Sequence, residues 1–195
     1  MALLQVLRDL HGRAELTLVA AAHLNHQLRS AAGTDEQFCA SVAAGLQLPF
    51  TASRADVRAM AAVGHRSIED AAHLARHAFF ERVLAEHDAD VVAVGHTRDD
   101  QAETFLLRLL RGAGSRGLAG MHPRSGHVIR PLLDCSRAEV RAFLHERDVP
   151  FVHDESNDDV GIPRNRVRAE LLARVSEVVG SPVASDVLFA EINIQ

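Results

Sequence analysis

Four residues in the stretch "GHTRDDQAETF", Gly95 to Phe105, have the types and spacing to do chemistry: His96, Asp99, Asp100 and Glu103. On a helix turning about 100° per residue they fall within an arc of roughly 100°. The apolar Ala102, Phe105, Leu106 and Leu109 point elsewhere. Closely spaced carboxylates beside a histidine can hold Mg²⁺, orient a substrate amine or relay a proton. A plainer reading covers part of the pattern. Thr97 and Asp100 fit a capping box, and Asp99 in a first turn complements the helix dipole by about 0.3–1 kcal/mol. Capping leaves Glu103, in the second turn, and His96, before the cap, without a reason.

These side chains need a strand to deliver them and a helix to display them. "DVVAVG" reads as a buried strand ending at His96, and a helix follows from Thr97 to about Leu110. The carboxyl end of a parallel strand is where α/β sheets bind ligands. The same alternation runs through the chain. "LTLVAAAH" reads as a strand covered on both faces. A helix spans Asp35 to Leu46, capped by Thr34, with Phe38, Val42 and Leu46 in one stripe. "FTASRADV" is a strand after Pro49, and a long helix starts at Ser67 with Asp70 at its third position. A glycine-rich loop, "RGAGSRGLAGM", leads to a strand near "HVIRPLL" and a helix opened by Ser136 and Glu139. A last helix begins at Pro163 and runs to Val178. Strands alternating with helices predict an α/β fold, a Rossmann-like parallel sheet with helices on both faces. The chain opens with an amphipathic helix, "MALLQVLRDLHG", and the first strand of a βαβ unit is missing ahead of it. The expected division is a catalytic core over residues 1–155 and a helical extension over 156–195.

Bulk properties narrow the classes. A chain of 195 residues can bury a core, and 47% apolar with 24% charged residues is usual for a soluble globular protein. No run approaches the roughly 20 apolar residues of a membrane span, and no leader peptide is evident, so a cytoplasmic protein without membrane contact is expected. Cys39 and Cys135 lie far apart and make neither a disulfide framework nor a thiolate zinc site. Net charge is −5, yet every basic residue is arginine, and eight arginines face three acids between Arg108 and Arg147. Arginine suits two-pronged contact with phosphate.

Four stretches carry a family resemblance. "GHTRDDQAETFLLRLLRGAGSRGLAGM", "HLNHQLR" (His23 to Arg29), "IRPLLDCSRAEVRAFL" and "DESNDDVGIPRNRVRAEL" occur in the order found in tRNA isoleucine-lysidine synthetases, and the chain resembles that family over residues 1–175. The resemblance implies a nucleotide α-hydrolase fold of the PP-loop type. It implies use of ATP and Mg²⁺ to adenylate the wobble cytidine of an isoleucine tRNA, releasing pyrophosphate. Lysine's amine then displaces AMP, forming lysidine. It also implies site residues. His96, Asp100 and Glu103 line the reaction centre, with Asp100 and Glu103 on Mg²⁺ or the attacking amine. His96 positions the nucleotide, as do His23, His26 and Arg29. Arg111, Gly112, Gly114, Arg116 and Gly117 form a loop near tRNA or phosphate, and Arg130, Arg164 and Arg168 contact phosphate. A homodimer is left open. The H-x-x-H pair of His23 and His26 is too sparse for zinc.

Three departures from the family pattern stand out. Gln27 occupies a position where the family has glycine. His73 and His77 stand in place of an arginine and a tyrosine. The S-G-G-x-D-S loop, whose backbone N–H groups cradle pyrophosphate, is not in these residues. Two expectations follow: further upstream residues supply the loop and a central strand, or the chain is a truncated, inactive nucleotide- or tRNA-binding remnant. A tRNA cytidine thiolation relative is a third reading, although such enzymes generally need paired cysteines.

Overall fold

Ser67, Thr97 and Ser136 each stand immediately before a helix, and each side-chain oxygen accepts a backbone N–H from the residue three further on. These caps fix where the main helices start. The computed structural model describes residues 1–28, 32–114, 117–151, 160–161 and 163–172. The chain packs as two units: Leu7–Val92 forms one, and Met1–Val6 with Ala93–Gln195 the other. The expected boundary at residue 155 lies outside the described residues.

In the unit Leu7–Val92, β1 (Ala21–Asn25) pairs in parallel with β2 (Phe50–Arg54), Ala21 opposite Phe50 and Asn25 opposite Arg54. β1 is shorter than the expected strand from Leu16 to His23 and ends two residues later. Its ladder starts only where Ala21 donates to the Pro49 carbonyl; proline, lacking an N–H, cannot extend it backwards. Both strands are half-buried, not covered throughout. Helix α2 (Ala32–Gly45) lies between them in sequence and begins before Thr34, the expected cap. The strand expected to run through "FTASRADV" stops at Arg54. Asp56 then accepts the Ala59 N–H at 2.9 Å and caps a short helix, α3 (Val57–Val63). Helix α4 (Ile68–Glu86) buries Ala71, Ala75, Phe79 and Val83, a stripe at every fourth position. Val57 and Ala61 of α3 pack on Ala71 and Ala75, with Leu24 of β1 against them.

The second unit holds the acidic helix. Short strands β3 (Val92–Ala93), β4 (Arg124–Ser125) and β5 (Val128–Ile129) make a sheet of order β3-β5-β4, in which β4 and β5 form an antiparallel hairpin. Val94 donates to the Ile129 carbonyl at 2.9 Å, which places the chain just ahead of His96 against β5. Helix α5 (Arg98–Leu110) follows Thr97, and α6 (Arg137–Glu146) follows Ser136. Its buried Leu144 packs with Leu132 and with Ala2 of α1 (Ala2–Gly12). Helix α7 (Pro163–Arg166) starts at the expected proline and continues as a π-helical turn, Val167–Leu172. The expected continuation to Val178 lies outside the described residues.

Candidate active site

The first two turns of α5 carry the acids, and three structural elements converge on them. Thr97 and Asp100 form the capping box: Asp100 Oδ2 accepts from both the Thr97 N–H and its hydroxyl, at 2.8 Å each. Asp99 Oδ2 accepts the backbone N–H of Arg137 at 2.6 Å, tying the start of α6 to the start of α5. Arg98 repeats this link, donating its N–H to the Cys135 carbonyl and its guanidinium to Glu139.

Glu103 is the centre of the arrangement. It has 0% exposure, and three guanidiniums grip it. Arg168 is bidentate, with Nε on Oε1 at 2.7 Å and Nη2 on Oε2 at 3.2 Å. Arg164 approaches Oε2 at 3.4 Å, and Arg137 donates Nη2 to Oε1 at 3.2 Å. That same Arg137 nitrogen lies 3.2 Å from Asp100 Oδ1. Arg164 also donates to the Thr104 hydroxyl at 2.8 Å, and that hydroxyl donates to the Asp100 carbonyl. A buried carboxylate is tolerable only when its charge is met and its lone pairs are filled.

The electrostatics follow from these contacts. Burial pushes the Asp100 carboxyl up. The Thr97 N–H and hydroxyl, with the charges of Arg137 and His96, outweigh that and hold it below the usual carboxylate range. Hydrogen bonding to Glu103 raises Arg168 above its ordinary value against the opposing effect of burial.

Asp100 and Glu103 were expected to line a reaction centre on Mg²⁺ or an attacking amine; their oxygens are held by N–H, hydroxyl and guanidinium donors. The expected Mg²⁺ role does not fit this arrangement. A divalent cation would have to displace guanidiniums from both carboxylates and lie among their positive charges. Among the described residues no group of three or more His, Cys, Asp and Glu side chains could hold a metal. Arg164 and Arg168, read as a phosphate pair, both turn onto Glu103. One helical turn apart, they share the face of α7 and its continuation that meets α5.

The glycine-rich loop is fastened to the same helix. Gln101 donates to the Met121 carbonyl at 2.7 Å and accepts the Met121 N–H, while Arg108 bonds the carbonyls of Gly117 and Gly120. Gly120 has φ +70°, a conformation strained for any residue with a Cβ, and a Cβ there would lie 2.6 Å from the Gln101 side-chain oxygen, which would have to leave its bond to Met121. Gly112 has φ +75° just past the end of α5, where Arg111 is the C-cap. Gly114 is exposed; Arg116 lies outside the described residues. Arg130 donates one bond to the His122 carbonyl at 2.8 Å, but its Nε is buried without a hydrogen-bond partner, and burial lowers its pKa.

The expected nucleotide residues belong to the other unit. His23, on β1, meets the Cys39 sulfur at 3.6 Å. His26 follows the end of β1, and its Nδ1 is buried with no hydrogen-bond partner. Burial first, then the charges of Arg76 and His23, push the His26 ring below its ordinary pKa of 6.5. An orphaned, neutral ring nitrogen at a strand's carboxyl end suits a nucleotide base or ribose. Gln27 has φ +53°, the left-handed region, with its N–H on Asn25 Oδ1 at 2.9 Å. A glycine would adopt this backbone without strain. Arg29 lies outside the described residues.

A family model described as PP-loop domain, ATP_bind_3, matches residues 1–175. The chain belongs to that family. Its resemblance to lysidine synthases also holds. This PP-loop domain is 46% identical over 176 residues to a tRNA(Ile)-lysidine synthase of Geobacter sulfurreducens, a match covering 88% of the chain and 37% of that protein. A namesake from Pseudomonas syringae pv. tomato is 39% identical, covering 94% of the chain and 40% of the relative. One from Solibacter usitatus is 38% identical, covering 86% and 38%. The PP-loop domain thus spans about two fifths of the length of these relatives. Among solved structures, the U34-tRNA thiolase NcsA of Methanococcus maripaludis aligns with a TM-score of 0.73 at 12% identity, covering 100% of this chain and 69% of that one. That likeness supports the α/β fold of the PP-loop domain. No described helix is long and apolar enough to cross a membrane.

Sequence reasoning missed Arg137, Gln101 and Arg108. Arg137 sits at the first helical position after a capping serine, where only its backbone role is visible in the sequence. Gln101 and Arg108 mattered through loop carbonyls, which have no sequence signature.

Proposed function

We propose that this PP-loop domain carries the amine-transfer site of an ATP-dependent ligase that joins lysine to the wobble cytidine of an isoleucine tRNA. In this reading ATP is a substrate. The cytidine O2 attacks the α-phosphorus and pyrophosphate leaves. The lysine ε-amine, once deprotonated, attacks C2 and AMP departs with the O2 oxygen. Asp100 and Glu103 receive and orient the amine, and His96 positions the nucleotide. Arg130 and the loop of Arg111, Gly112 and Gly114 serve phosphates, and His26, in the other unit, serves a nucleotide ring. Mg²⁺ enters with ATP and is held by groups other than Asp100 and Glu103. A cytoplasmic location follows from the tRNA substrate.

The observation that carries this reading is the fully buried Glu103 bridged to Asp100 through one nitrogen of Arg137. Two carboxylates converging on one N–H donor make a seat for a substrate cation. Support also comes from relatives named as lysidine synthases. The test is pyrophosphate release from ATP on adding an isoleucine tRNA transcript. Release that requires the tRNA, and is abolished by changing its wobble cytidine to uridine, is expected. Release without tRNA, or none at high protein concentration, would refute the activity for this chain.

A further inference from the structure

Arg137 holds two different kinds of bond. Its backbone N–H secures Asp99 and the start of α6, a bond any residue but proline could make. Its side chain puts a single nitrogen, Nη2, between Asp100 Oδ1 and Glu103 Oε1, 3.2 Å from each. That position is where a primary ammonium would sit if the two carboxylates bound one. The other arginines differ. Arg168 grips both oxygens of Glu103, and Arg164 shares itself between Glu103 and Thr104. Glu103 therefore keeps two guanidiniums when Arg137 leaves, and Asp100 keeps both of its bonds from Thr97. The Arg137 side chain is 26% exposed, so it has a way out to water.

We propose that the Arg137 guanidinium is an internal stand-in for the substrate's ammonium, occupying the amine seat until an incoming primary amine displaces it. This rests on the reading of Asp100 and Glu103 as the amine site. The stand-in keeps Asp100 paired with a guanidinium while the seat is empty. It also sets selectivity, because an entering group must replace a cation. A neutral side chain of equal length gains nothing. The stand-in reduces apparent affinity by the fraction of time the seat is open; occupancy of nine-tenths lowers it about tenfold.

The experiment is an NMR titration of the chain with L-lysine and with norleucine, which has a similar chain but no ε-amine. Wild type is compared with Arg137→Met, which keeps the stem and removes the guanidinium, and with Arg137→Gln as a second neutral variant. Arg164→Met removes a positive charge from the same carboxylate without vacating the seat. Lysine binding is expected to tighten roughly three- to tenfold in both Arg137 variants, with norleucine unchanged and no tightening in Arg164→Met. Unchanged or weaker lysine binding in folded Arg137 variants would make Arg137 merely structural. Equal tightening in Arg164→Met would reduce the effect to net charge. Wild type and variants that all treat lysine and norleucine alike would remove the amine site itself, and the stand-in with it.

Discussion

Glu103 carries a full charge with no exposed surface, which a protein tolerates only when the charge is met by partners in place. Three guanidiniums supply them, two reaching solvent through a quarter of their surface. Substituting Glu103→Gln leaves those cations converging on a neutral amide. The expected loss is roughly 3 kcal/mol, near the low end for a broken buried ion pair because the arginines can turn outward. Urea denaturation measures it, and a change below about 1 kcal/mol would mean the cluster is not holding the fold. Gln27 is the opposite case. Its φ of +53° is strained for a side chain with a Cβ, so Gln27→Gly is expected to stabilise the chain by about 0.5–1 kcal/mol. A lower melting temperature for that variant would show that the glutamine side chain makes a compensating contact.

The elements around the site are set by caps, and caps were legible in the sequence. Thr97 with Asp100, Ser136 with Glu139 and Ser67 with Asp70 all stand where the pattern of serine or threonine followed by an acid put them. Thr97→Ala removes the hydroxyl acceptor at the head of α5. It is expected to cost about 1 kcal/mol, with Thr97→Ser restoring most of it. A neutral Thr97→Ala would assign the helix start to the Arg137–Asp99 and Arg98–Cys135 bonds between α5 and α6 instead. The strands were less legible. Their apolar runs were visible, but β1 and β3 pair over only part of them, because pairing depends on a partner's register and on Pro49 rather than on local composition. Asp56 as a cap was visible and overlooked, since "FTASRADV" alternates like a strand. At the site, the acids were legible because types and spacing are local. Their arginine partners were not, because Arg137, Arg164 and Arg168 arrive from 34 to 65 residues away. For Asp100 the plainer reading as a capping residue is correct as geometry, and the contact with Arg137 adds to it.

For the molecule as a whole, the protonation of a few groups fixes how stability changes with pH. Asp100, Glu36 and Glu139 all have carboxyls held below their ordinary values, Asp100 against the opposing effect of burial and the two glutamates chiefly by hydrogen bonds. Their stabilisation is present above the ordinary values of 3.8 and 4.5 and is lost as pH falls through the lower folded ones. His26 and His73 are depressed first by burial, so the unfolded chain binds protons near their ordinary 6.5 before the folded one does. Stability therefore falls already between neutral pH and the folded values of these rings. A lower melting temperature at pH 5 than at pH 7.5 is expected, with His26→Gln reducing the difference. Melting that is equal, or higher at pH 5, would contradict the lowered pKa values of these two rings.

The chain spans about two fifths of the length of its lysidine-synthase relatives, so the chemistry must be read from product. Nucleoside mass spectrometry reads it most directly. An isoleucine tRNA transcript is incubated with the chain, ATP, Mg²⁺ and isotopically labelled lysine, then digested to nucleosides. A wobble cytidine heavier by lysine less water, carrying the label, is expected, with loss of that product in Glu103→Gln. An unmodified cytidine after prolonged incubation, a sulfur-bearing nucleoside, or full product from Glu103→Gln would contradict the proposed ligation.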